Sequence, residues 1–414
     1  MSLAAVVLTS CAGSLQSVTD GGTTTSATSP APTSAPTTAE PQPTEGTETA
    51  EPTEVAAVPE LDVEMISDVF EHGWDVGFLP DGGALVTERG GRITHLTSID
   101  PGAVHTYVEV PLAGLMARGE AGLMGLVIHP DFEQTREFTV CLNFEESGQP
   151  VDVRLVTFAL SEDNTAAEHV RDLLTGIPTG TGRHSGCRPT IAADGALIVG
   201  TGDTADGTAP QDLTSLAGKV LRLDLKTGEP LPDNPFIDEE GATRFVLSYG
   251  HRNVQGVAIQ PGTGEIYTAE HGPRVDDEVN RIEWGGNYGW DPSRGGTSVT
   301  YDESVPMTDL EAFPDAVSAI WSTGDFTEAL AGAAFLEGGQ WGAWEGALAV
   351  AALRGEKMLV LTLDDEGAMS EVSYPAELEE YGRLRAARLG PNGALYLTTD
   401  NGPRDVLLKV TPQP

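Results

Sequence analysis

Positive charge is scarce in this chain of 414 residues, which has 23 Lys and Arg against 63 Asp and Glu. The formal net charge is −40, and lysine occurs only at positions 219, 226, 357 and 409. A field of this sign repels phosphate backbones and anionic lipid headgroups. The composition therefore argues against a nucleic-acid-binding protein and against a protein that adheres to membranes through surface charge.

Long helical patterns are also scarce, whereas glycine and proline are frequent, with 49 and 28 residues respectively. Both residue types interrupt helices and favour turns. The chain is long enough for one large domain or two ordinary ones. We therefore expect an all-β protein.

The N-terminus lacks the positive residues of an ordinary signal peptide, since no Lys or Arg precedes Arg89. The opening "MSLAAVVLTSC" nevertheless resembles a lipobox that ends in Cys11, the residue that would be lipidated. Either the true start lies upstream or the resemblance is accidental. Residues 12–60 are rich in Ser, Thr, Pro, Ala and Glu and predict a disordered linker. We expect residues 1–11 to be a signal remnant and residues 61–414 to form the folded domain, held outside the cytoplasm.

Cysteine is nearly absent from the folded part, which has only Cys141 and Cys187. An even pair in an exported protein is consistent with a disulfide bond. Two buried free thiols are the alternative interpretation.

A hairpin pattern recurs in the folded part, in which a glycine-containing turn precedes a short apolar strand. It occurs in "LPDGGALVTERGGRI", "AADGALIVGTGD", "QPGTGEIYTAEHG", "WEGALAVAAL" and "GPNGALYLTTDN". Repeated hairpins over about 350 residues, at about 40–60 residues per blade, predict a six-bladed β-propeller. Two β-sandwich domains are the alternative, but no Pro-rich linker divides residues 60–414.

Unusual polar residues collect in the connections between these hairpins. His184 lies in "TGRHSGC" and is either a loop residue that caps a strand or a general base. The acidic turn region Glu270–Trp290 offers carboxylate and carbonyl oxygens to a cation such as Ca²⁺, or is simply a solvated loop. Arg383 and Arg385 are two apart, so in a strand they project to the same side and suit a ligand with several carboxylates.

Several motifs in matching order resemble the soluble quinoprotein glucose dehydrogenases, and more closely the bacterial aldose sugar dehydrogenases of the glucose/sorbosone dehydrogenase group. The resemblance covers residues 62–412. It is carried by "GEAGLMGLVIHPDF", "RHSGC", "LAGKVLRLD", "YGHRNVQGVAI", "EHGPRVDDEVNRIEWGGNYGW" and "GRLRAARLGPNGALYLTTD". It implies a six-bladed propeller that binds pyrroloquinoline quinone (PQQ) and Ca²⁺. It also implies oxidation of the C1 hydroxyl of aldoses to lactones, with an external electron acceptor.

The resemblance also implies roles for individual residues. His184 matches the base that takes the proton of the C1 hydroxyl while hydride passes to the quinone. Arg252 and Asn253 match the pair beside the cofactor, where the arginine polarises a quinone oxygen. Gly272 and Pro273 match the positions whose backbone carbonyls bind the Ca²⁺ that contacts PQQ.

Further residues match more peripheral positions of the family. Arg383 and Arg385 match arginines that hold PQQ carboxylates, and Arg354 falls about where the family has a lysine facing the cofactor. Glu278 and the backbone of Tyr288 match ligands of a structural calcium site.

Three positions near the substrate depart from the family pattern or match it less closely. Arg183 stands where relatives have Asp or Asn, and Glu120 stands where the glucose dehydrogenases have a glutamine. Trp321 is a candidate for the aromatic wall of the sugar pocket. Because the first two changes alter charge close to the substrate, the sugar preference of relatives does not transfer to this chain.

Two other functions stay open from the sequence. A calcium-dependent propeller lactonase would use carboxylate ligands at the channel centre and would need neither His184 nor the Arg383 and Arg385 pair. A surface lipoprotein that binds glycans or a protein partner would need no cofactor at all.

Overall fold

The chain folds into six four-stranded antiparallel sheets, as described by a computed structural model for residues 57–413. The six sheets form the blades of a β-propeller, as the repeated hairpins predict. The strands in chain order are β1 (Leu61–Glu71), β2 (Gly73–Phe78), β3 (Ala84–Glu88), β4 (Ile93–Leu96), β5 (His105–Val108), β6 (Leu123–Ile128), β7 (Glu137–Glu146), β8 (Gln149–Leu160), β9 (Ala167–Ile177), β10 (Arg188–Ile191), β11 (Ala196–Gly200), β12 (Lys219–Asp224), β13 (Val246–Tyr249), β14 (Val254–Ile259), β15 (Ile266–Glu270), β16 (Glu278–Arg281), β17 (Trp321–Ser322), β18 (Leu330–Phe335), β19 (Leu348–Ala352), β20 (Lys357–Leu363), β21 (Met369–Ser373), β22 (Leu384–Leu389), β23 (Leu395–Thr399) and β24 (Pro403–Pro412).

Five blades are built from four consecutive strands, and the sixth closes the ring with strands from both ends of the folded region. Its strand order is β22, β23, β24 and β1. β1 pairs antiparallel with β24, from Leu61 opposite Pro412 to Glu71 opposite Pro403. These hydrogen bonds join the first strand of the domain to the last and close the ring of blades.

Helix is nearly absent from the described residues, which contain one short α-helix, α1 (Phe132–Thr135). Three short 3₁₀ segments occur at Gly241–Phe245, Gly342–Trp344 and Ala376–Tyr381. No helix within residues 57–413 combines the length and apolar character needed to cross a membrane. Cys11 and nearly all of the proposed linker lie outside the described residues.

The innermost strand of each blade lines the central channel, and five of these six strands have a register irregularity near their first residues. The irregularities lie in β2, β6, β14, β18 and β22. A β-bulge redirects side chains and often accompanies a functional site. In β14 and β22 the residues left without a cross-strand partner are Gln255 and Arg385, and Arg385 Nη1 donates to Gln255 Oε1 at 3.3 Å.

The channel is filled below its mouth by a buried charged cluster. Asp75 accepts two hydrogen bonds from Arg388, at 2.9 and 2.7 Å, and lies 2.8 Å from Nη1 of Arg188. The contact with Arg188 is an ion pair without hydrogen-bond geometry. Burial alone would raise the pKa of Asp75, but the two guanidiniums hold it below its usual value. Asp75 is therefore ionised and already paired.

The two cysteines of the folded part form a disulfide bond. Cys141 lies in β7 of the second blade, and Cys187 immediately precedes β10 of the third blade. Both side chains are fully buried among apolar residues between these blades. Because Cys187 follows His184 by three positions, the bond fixes the connection that contains His184.

We predict that no free thiol is detected when the denatured, unreduced domain is titrated with a thiol reagent. Reduction should lower the stability of the domain by about 2–4 kcal/mol, since the bond restricts the unfolded chain. The titration should be repeated after reduction as a control, which should give two thiols per domain. Two reactive thiols before reduction would contradict the bond.

Candidate active site

The polar residues singled out from the sequence meet at one end of the channel. Connections that enter the inner strands contribute Glu120, His184, Arg252 and Arg383. Connections that follow the second strands contribute further groups at the same end, namely Asp203, His271 to Asp277, Arg354 and Asp400. The fold therefore collects at one mouth residues that lie hundreds of positions apart.

His184 is held by a buried carboxylate. Its Nδ1 lies 2.8 Å from Oδ1 of Asp203, which follows β11. Oδ2 of Asp203 accepts hydrogen bonds from the Tyr301 hydroxyl at 2.6 Å and from Trp290 Nε1 at 2.8 Å. His184 and Asp203 are almost fully buried. The imidazole is therefore fixed in orientation, with Nε2 directed away from the carboxylate.

The charge state of this cluster follows from its surroundings. Burial alone would raise the pKa of Asp203, but His184, Arg252 and the Tyr301 hydroxyl hold it below its usual value. Burial and the adjacent carboxylate raise the pKa of Tyr301 far above its usual value. Asp203 is thus an acceptor and Tyr301 a donor, so Nδ1 of His184 donates its proton to Asp203 and the lone pair of the ring lies on Nε2.

Two arginines share one carboxylate beside the histidine. Nη2 of Arg252 and Nη2 of Arg183 both bind Oε1 of Glu303, the former at 2.8 Å. Nε of Arg183 donates to Nε2 of His184 at 3.1 Å. Arg252 is buried and also donates to the carbonyl of His271 at 3.0 Å.

Glu120 connects two of the predicted site residues. Its Oε2 accepts from the backbone N–H of His184 at 3.0 Å and from Nδ2 of Asn253 at 3.3 Å. Oδ1 of Asn253 in turn accepts from the backbone N–H of Gly186 at 3.1 Å. Glu120 and Asn253 therefore hold the backbone on both sides of His184 in place.

Two buried nitrogens at the mouth have no acceptor or donor among the described residues. They are Nε of Arg252 and Nε2 of His271. Burial, Arg252 and Arg385 lower the pKa of His271 well below its usual value, so its ring is neutral. An unpaired buried guanidinium nitrogen is costly, and a bound oxygen acceptor would satisfy it.

Arg383 and Arg385 both contact Asp400. Arg383 lies just before β22, and Arg385 is the second residue of this strand. Arg385 binds Oδ2 of Asp400 through Nε and Nη2 at 2.7 and 2.5 Å. Nδ1 of His72 contacts the other carboxylate oxygen at 2.5 Å. Arg383 Nε donates to the Asp400 carbonyl at 3.0 Å, and its terminal nitrogens bind none of the described residues. Arg383 therefore has free donors, whereas Arg385 is largely paired.

The turn at Gly272 and Pro273 is organised by Asp277. Asp277 accepts from the backbone N–H of Gly272 at 2.8 Å and from the backbone N–H groups of Glu328 and Ala329 at 2.5 and 2.6 Å. The carbonyls of Gly272 and Pro273 accept no hydrogen bond from residues within 57–413. Such carbonyls are suitable ligands for Ca²⁺.

A second group of oxygens surrounds the predicted ligand Glu278. Glu270 and Glu278 lie opposite each other on β15 and β16, and both carboxyls are buried. Nδ2 of Asn280 lies 3.3 Å from each, and the buried Oδ1 of Asn280 has no donor among the described residues. Burial raises the pKa of Glu270 above its usual value, and burial together with the facing Glu270 raises that of Glu278 well above its usual value. Tyr288 lies beside this group, where its ring stacks on His251, which binds Glu270.

This arrangement has oxygen ligands, and no lysine or arginine among the described residues forms an ion pair with either carboxyl. The His251 ring that contacts Glu270 is neutral, because burial lowers its pKa to about 3. Two buried carboxyls facing each other disfavour joint ionisation, and a divalent cation would relieve this repulsion. An amide oxygen without a donor is a further ligand that suits Ca²⁺. The residues therefore fit the structural calcium site that the resemblance implies.

Two predicted residues are not joined to this constellation by contacts. Arg354 is exposed in the connection between β19 and β20, and its side chain makes no hydrogen bond or ion pair with the described residues. Trp321 lies on β17, the outermost strand of its blade, and packs against the core shared with the next blade. Their roles at the cofactor and at the sugar stay predictions.

Sequence reasoning missed several residues of the site. Asp203 ends the "GTGD" turn, and its position directly after a strand was the only local signal. Tyr301 and Glu303 lie in the long connection between β16 and β17, after the motif that ends at Trp290, in a stretch with no distinctive pattern. Asp400 and Asn280 likewise gain their roles only through contacts between strands.

The chain is similar to known proteins of one enzyme family. Residues 70–408 match the family model described as glucose/sorbosone dehydrogenase. The chain belongs to this family. It is therefore an oxidoreductase of the dehydrogenase type.

The relatives include proteins named as sugar dehydrogenases. The chain is 32% identical over 367 residues to the aldose sugar dehydrogenase YliI of Escherichia coli, covering 86% of this chain and 95% of that protein. It is 33% identical over 238 residues to quinoprotein glucose dehydrogenase B of Acinetobacter calcoaceticus, covering 51% and 48% respectively. The solved PQQ-bound aldose sugar dehydrogenase of Streptomyces coelicolor aligns with a TM-score of 0.67 and 29% identity, over 86% of this chain and all of that one (100%).

We predict that Ca²⁺ stabilises the purified protein through the Glu270 and Glu278 group. At a hundredfold excess over its dissociation constant, one bound ion contributes about 2.7 kcal/mol, visible as a rise in Tm. Glu278→Gln should remove most of this response, because it removes a charged ligand.

The metal-free Glu278→Gln protein should be at least as stable as the metal-free wild type. The substitution removes a buried carboxyl that forms no ion pair with the described residues. Glu283→Gln is a suitable control, since Glu283 is exposed in the connection that directly follows β16. An undiminished calcium response in Glu278→Gln would show that the ion binds elsewhere.

Proposed function

We propose that this protein oxidises the C1 hydroxyl of aldose sugars to lactones in a reaction that depends on PQQ and Ca²⁺. The observation that carries the proposal is the pairing of His184 with the buried Asp203 next to Arg252, whose Nε is buried without an acceptor. A base, His184, and a positively charged side chain, Arg252, thus lie next to each other at the mouth of the channel. A proton can leave a hydroxyl there while negative charge develops nearby.

His184 is suited to accept the hydroxyl proton at Nε2. Its Nδ1 proton is bound by Asp203, and the imidazolium formed on protonation is stabilised by that carboxylate. Tyr301 and Trp290 hold Asp203 from its other oxygen, so the carboxylate does not have to reorient during the step. This arrangement supplies the preorganisation that general base catalysis requires.

The residues present also fit an anionic quinone cofactor. Arg383 has free terminal donors, Arg385 lies beside it, and Arg252 has an unsatisfied nitrogen, so three guanidiniums surround the mouth of a protein with a net charge of −40. PQQ, when bound, supplies the acceptor for the hydride of C1. Arg252 is placed to stabilise negative charge on that acceptor, and Asn253 holds the adjacent backbone.

Calcium is proposed to act at two places. The free carbonyls of Gly272 and Pro273 would bind an ion next to the cofactor, where it withdraws electron density. The Glu270 and Glu278 group would bind a second ion. These two residues flank the connection between β15 and β16 that contains Gly272 and Pro273, so this ion would stabilise that connection. The first ion would serve the reaction and the second the fold.

The protein is further proposed to act outside the cytoplasm and to pass electrons to an external acceptor. The disulfide between Cys141 and Cys187 supports an oxidising compartment. The carbonyl of Ala57 binds the backbone N–H of Ala343, in the connection between β18 and β19, at the end of the propeller opposite His184. The described chain therefore enters the propeller at the end opposite the site mouth.

The function is tested by adding PQQ and Ca²⁺ to purified protein and following dye reduction with a panel of aldoses. Sugar-dependent reduction that requires both PQQ and Ca²⁺ is expected. Hydrolysis of lactones without PQQ would instead support the lactonase, and the absence of both activities would support a binding protein.

We predict that His184→Ala lowers kcat by about 10²- to 10⁴-fold while PQQ affinity stays nearly unchanged, because the base is lost but the arginines remain. Asp203→Asn should lower kcat in the same direction, since an amide favours the wrong imidazole tautomer. Both are measured by steady-state kinetics at saturating PQQ. Near-normal turnover of His184→Ala would exclude it as the base.

We predict that Arg383→Ala weakens PQQ binding by about one to two decades, corresponding to roughly 1.5–3 kcal/mol for hydrogen bonds to a charged group. The measurement is a titration of metal-loaded, PQQ-free protein. Arg383 is a cleaner test than Arg385, because replacing Arg385 also leaves the buried Asp400 unpaired. Wild-type affinity in Arg383→Ala would show that this side chain does not hold the cofactor.

A further inference from the structure

We propose that Arg183 is a gate on the base, holding the position at Nε2 of His184 that the sugar hydroxyl takes during the reaction. The proposal rests on the proposed function only for the identity of the substrate. The gate itself is a property of the protein without ligands and can be tested in that form.

The first argument is the direction of the hydrogen bond to the histidine. Because Nδ1 of His184 is bound to Asp203, the lone pair that can accept a proton lies on Nε2. Nε of Arg183 donates to this atom at 3.1 Å. A guanidinium does not lose its proton at ordinary pH, so the contact occupies the base without activating it. The sugar hydroxyl needs the same lone pair, and the two donors exclude each other.

The second argument is that Arg183 is anchored at its outer end. Its terminal nitrogen binds Glu303, and its guanidinium lies 5.3 Å from the centre of the Tyr301 ring. Glu303 is bound independently by the buried Arg252. The carboxylate therefore stays in place when Arg183 moves, and it retains the displaced side chain near the mouth.

The third argument concerns the free energy of displacement. The Arg183 side chain is 43% exposed and that of Glu303 is 30% exposed, so water screens their attraction and the pair contributes little. A single hydrogen bond to the imidazole adds only about 1 kcal/mol net. Binding of a sugar can offset this amount, whereas a buried and fully paired arginine could not be displaced so easily.

The gate is tested with PQQ-free, sugar-free protein by measuring how fast diethyl pyrocarbonate acylates His184, with peptide mass spectrometry as the readout. The reagent requires a free imidazole nitrogen. Arg183→Leu should react about fivefold faster at His184 than the wild type. Glu303→Gln should show a smaller increase, because it loosens the anchor while Arg183 remains.

Arg404→Leu is the matched control, because Arg404 is exposed at the same end of the propeller and binds none of the described residues. It should leave His184 reactivity and activity unchanged. The exposed His105 provides an internal reference for reagent concentration in every sample. Equal rates of His184 acylation in wild type and in folded Arg183→Leu and Glu303→Gln proteins would overturn the gate.

Steady-state kinetics of the protein loaded with PQQ and Ca²⁺ give a second readout. If Arg183 competes with the hydroxyl, Arg183→Leu should lower KM about fivefold with kcat nearly unchanged. A raised KM would overturn the gate and show that Arg183 binds the sugar. Failure of the proposed oxidation would leave the acylation result intact, so the two proposals can fail separately.

Discussion

Closure of the ring is the constraint on which the rest of the structure depends. β1 completes the blade formed by β22, β23 and β24, so hydrogen bonds between the two ends of the domain hold all six blades around one channel. Only a closed ring brings His184, Arg252 and Arg383 to the same mouth. The site is thus a consequence of closure and not of any single blade.

The buried charged groups in and around the channel mouth differ in how completely neighbouring residues satisfy them through hydrogen bonds and ion pairs. Asp203 is satisfied by His184, Tyr301 and Trp290, which makes it a rigid support. Asp75, lower in the channel, accepts hydrogen bonds from Arg388 and forms an ion pair with Arg188. Buried atoms without a hydrogen-bond partner among the described residues include Nε of Arg252 and Nε2 of His271 at the mouth, both terminal nitrogens of Arg188 in the channel, and Oδ1 of Asn280. Unsatisfied buried groups mark places where a ligand completes the structure.

Five blades could be recognised from sequence because a glycine turn joins their first two strands. The second blade lacks this signal: its first two strands, β6 and β7, are joined by the short helix α1, which ends at Arg136 in a left-handed conformation. The closing role of β1 was also invisible, because strand pairing over more than 300 residues leaves no local pattern. The blade count was nevertheless correct, since chain length and hairpin spacing constrain it.

The sequence by itself determined the fold class, the family and the positions of His184, Arg252 and the Gly272–Pro273 turn, because these depend on local turns and contiguous motifs. It did not determine which groups bind these residues and fix their orientation and charge. Asp203, Glu303 and Asn280 acquire their roles from contacts across strands and connections, and the pairing of Arg385 with Asp400 reduces a charge that the sequence presents as free. Electrostatic and hydrogen-bond partnerships depend on distances of a few ångströms, and only the closed tertiary structure decides those distances.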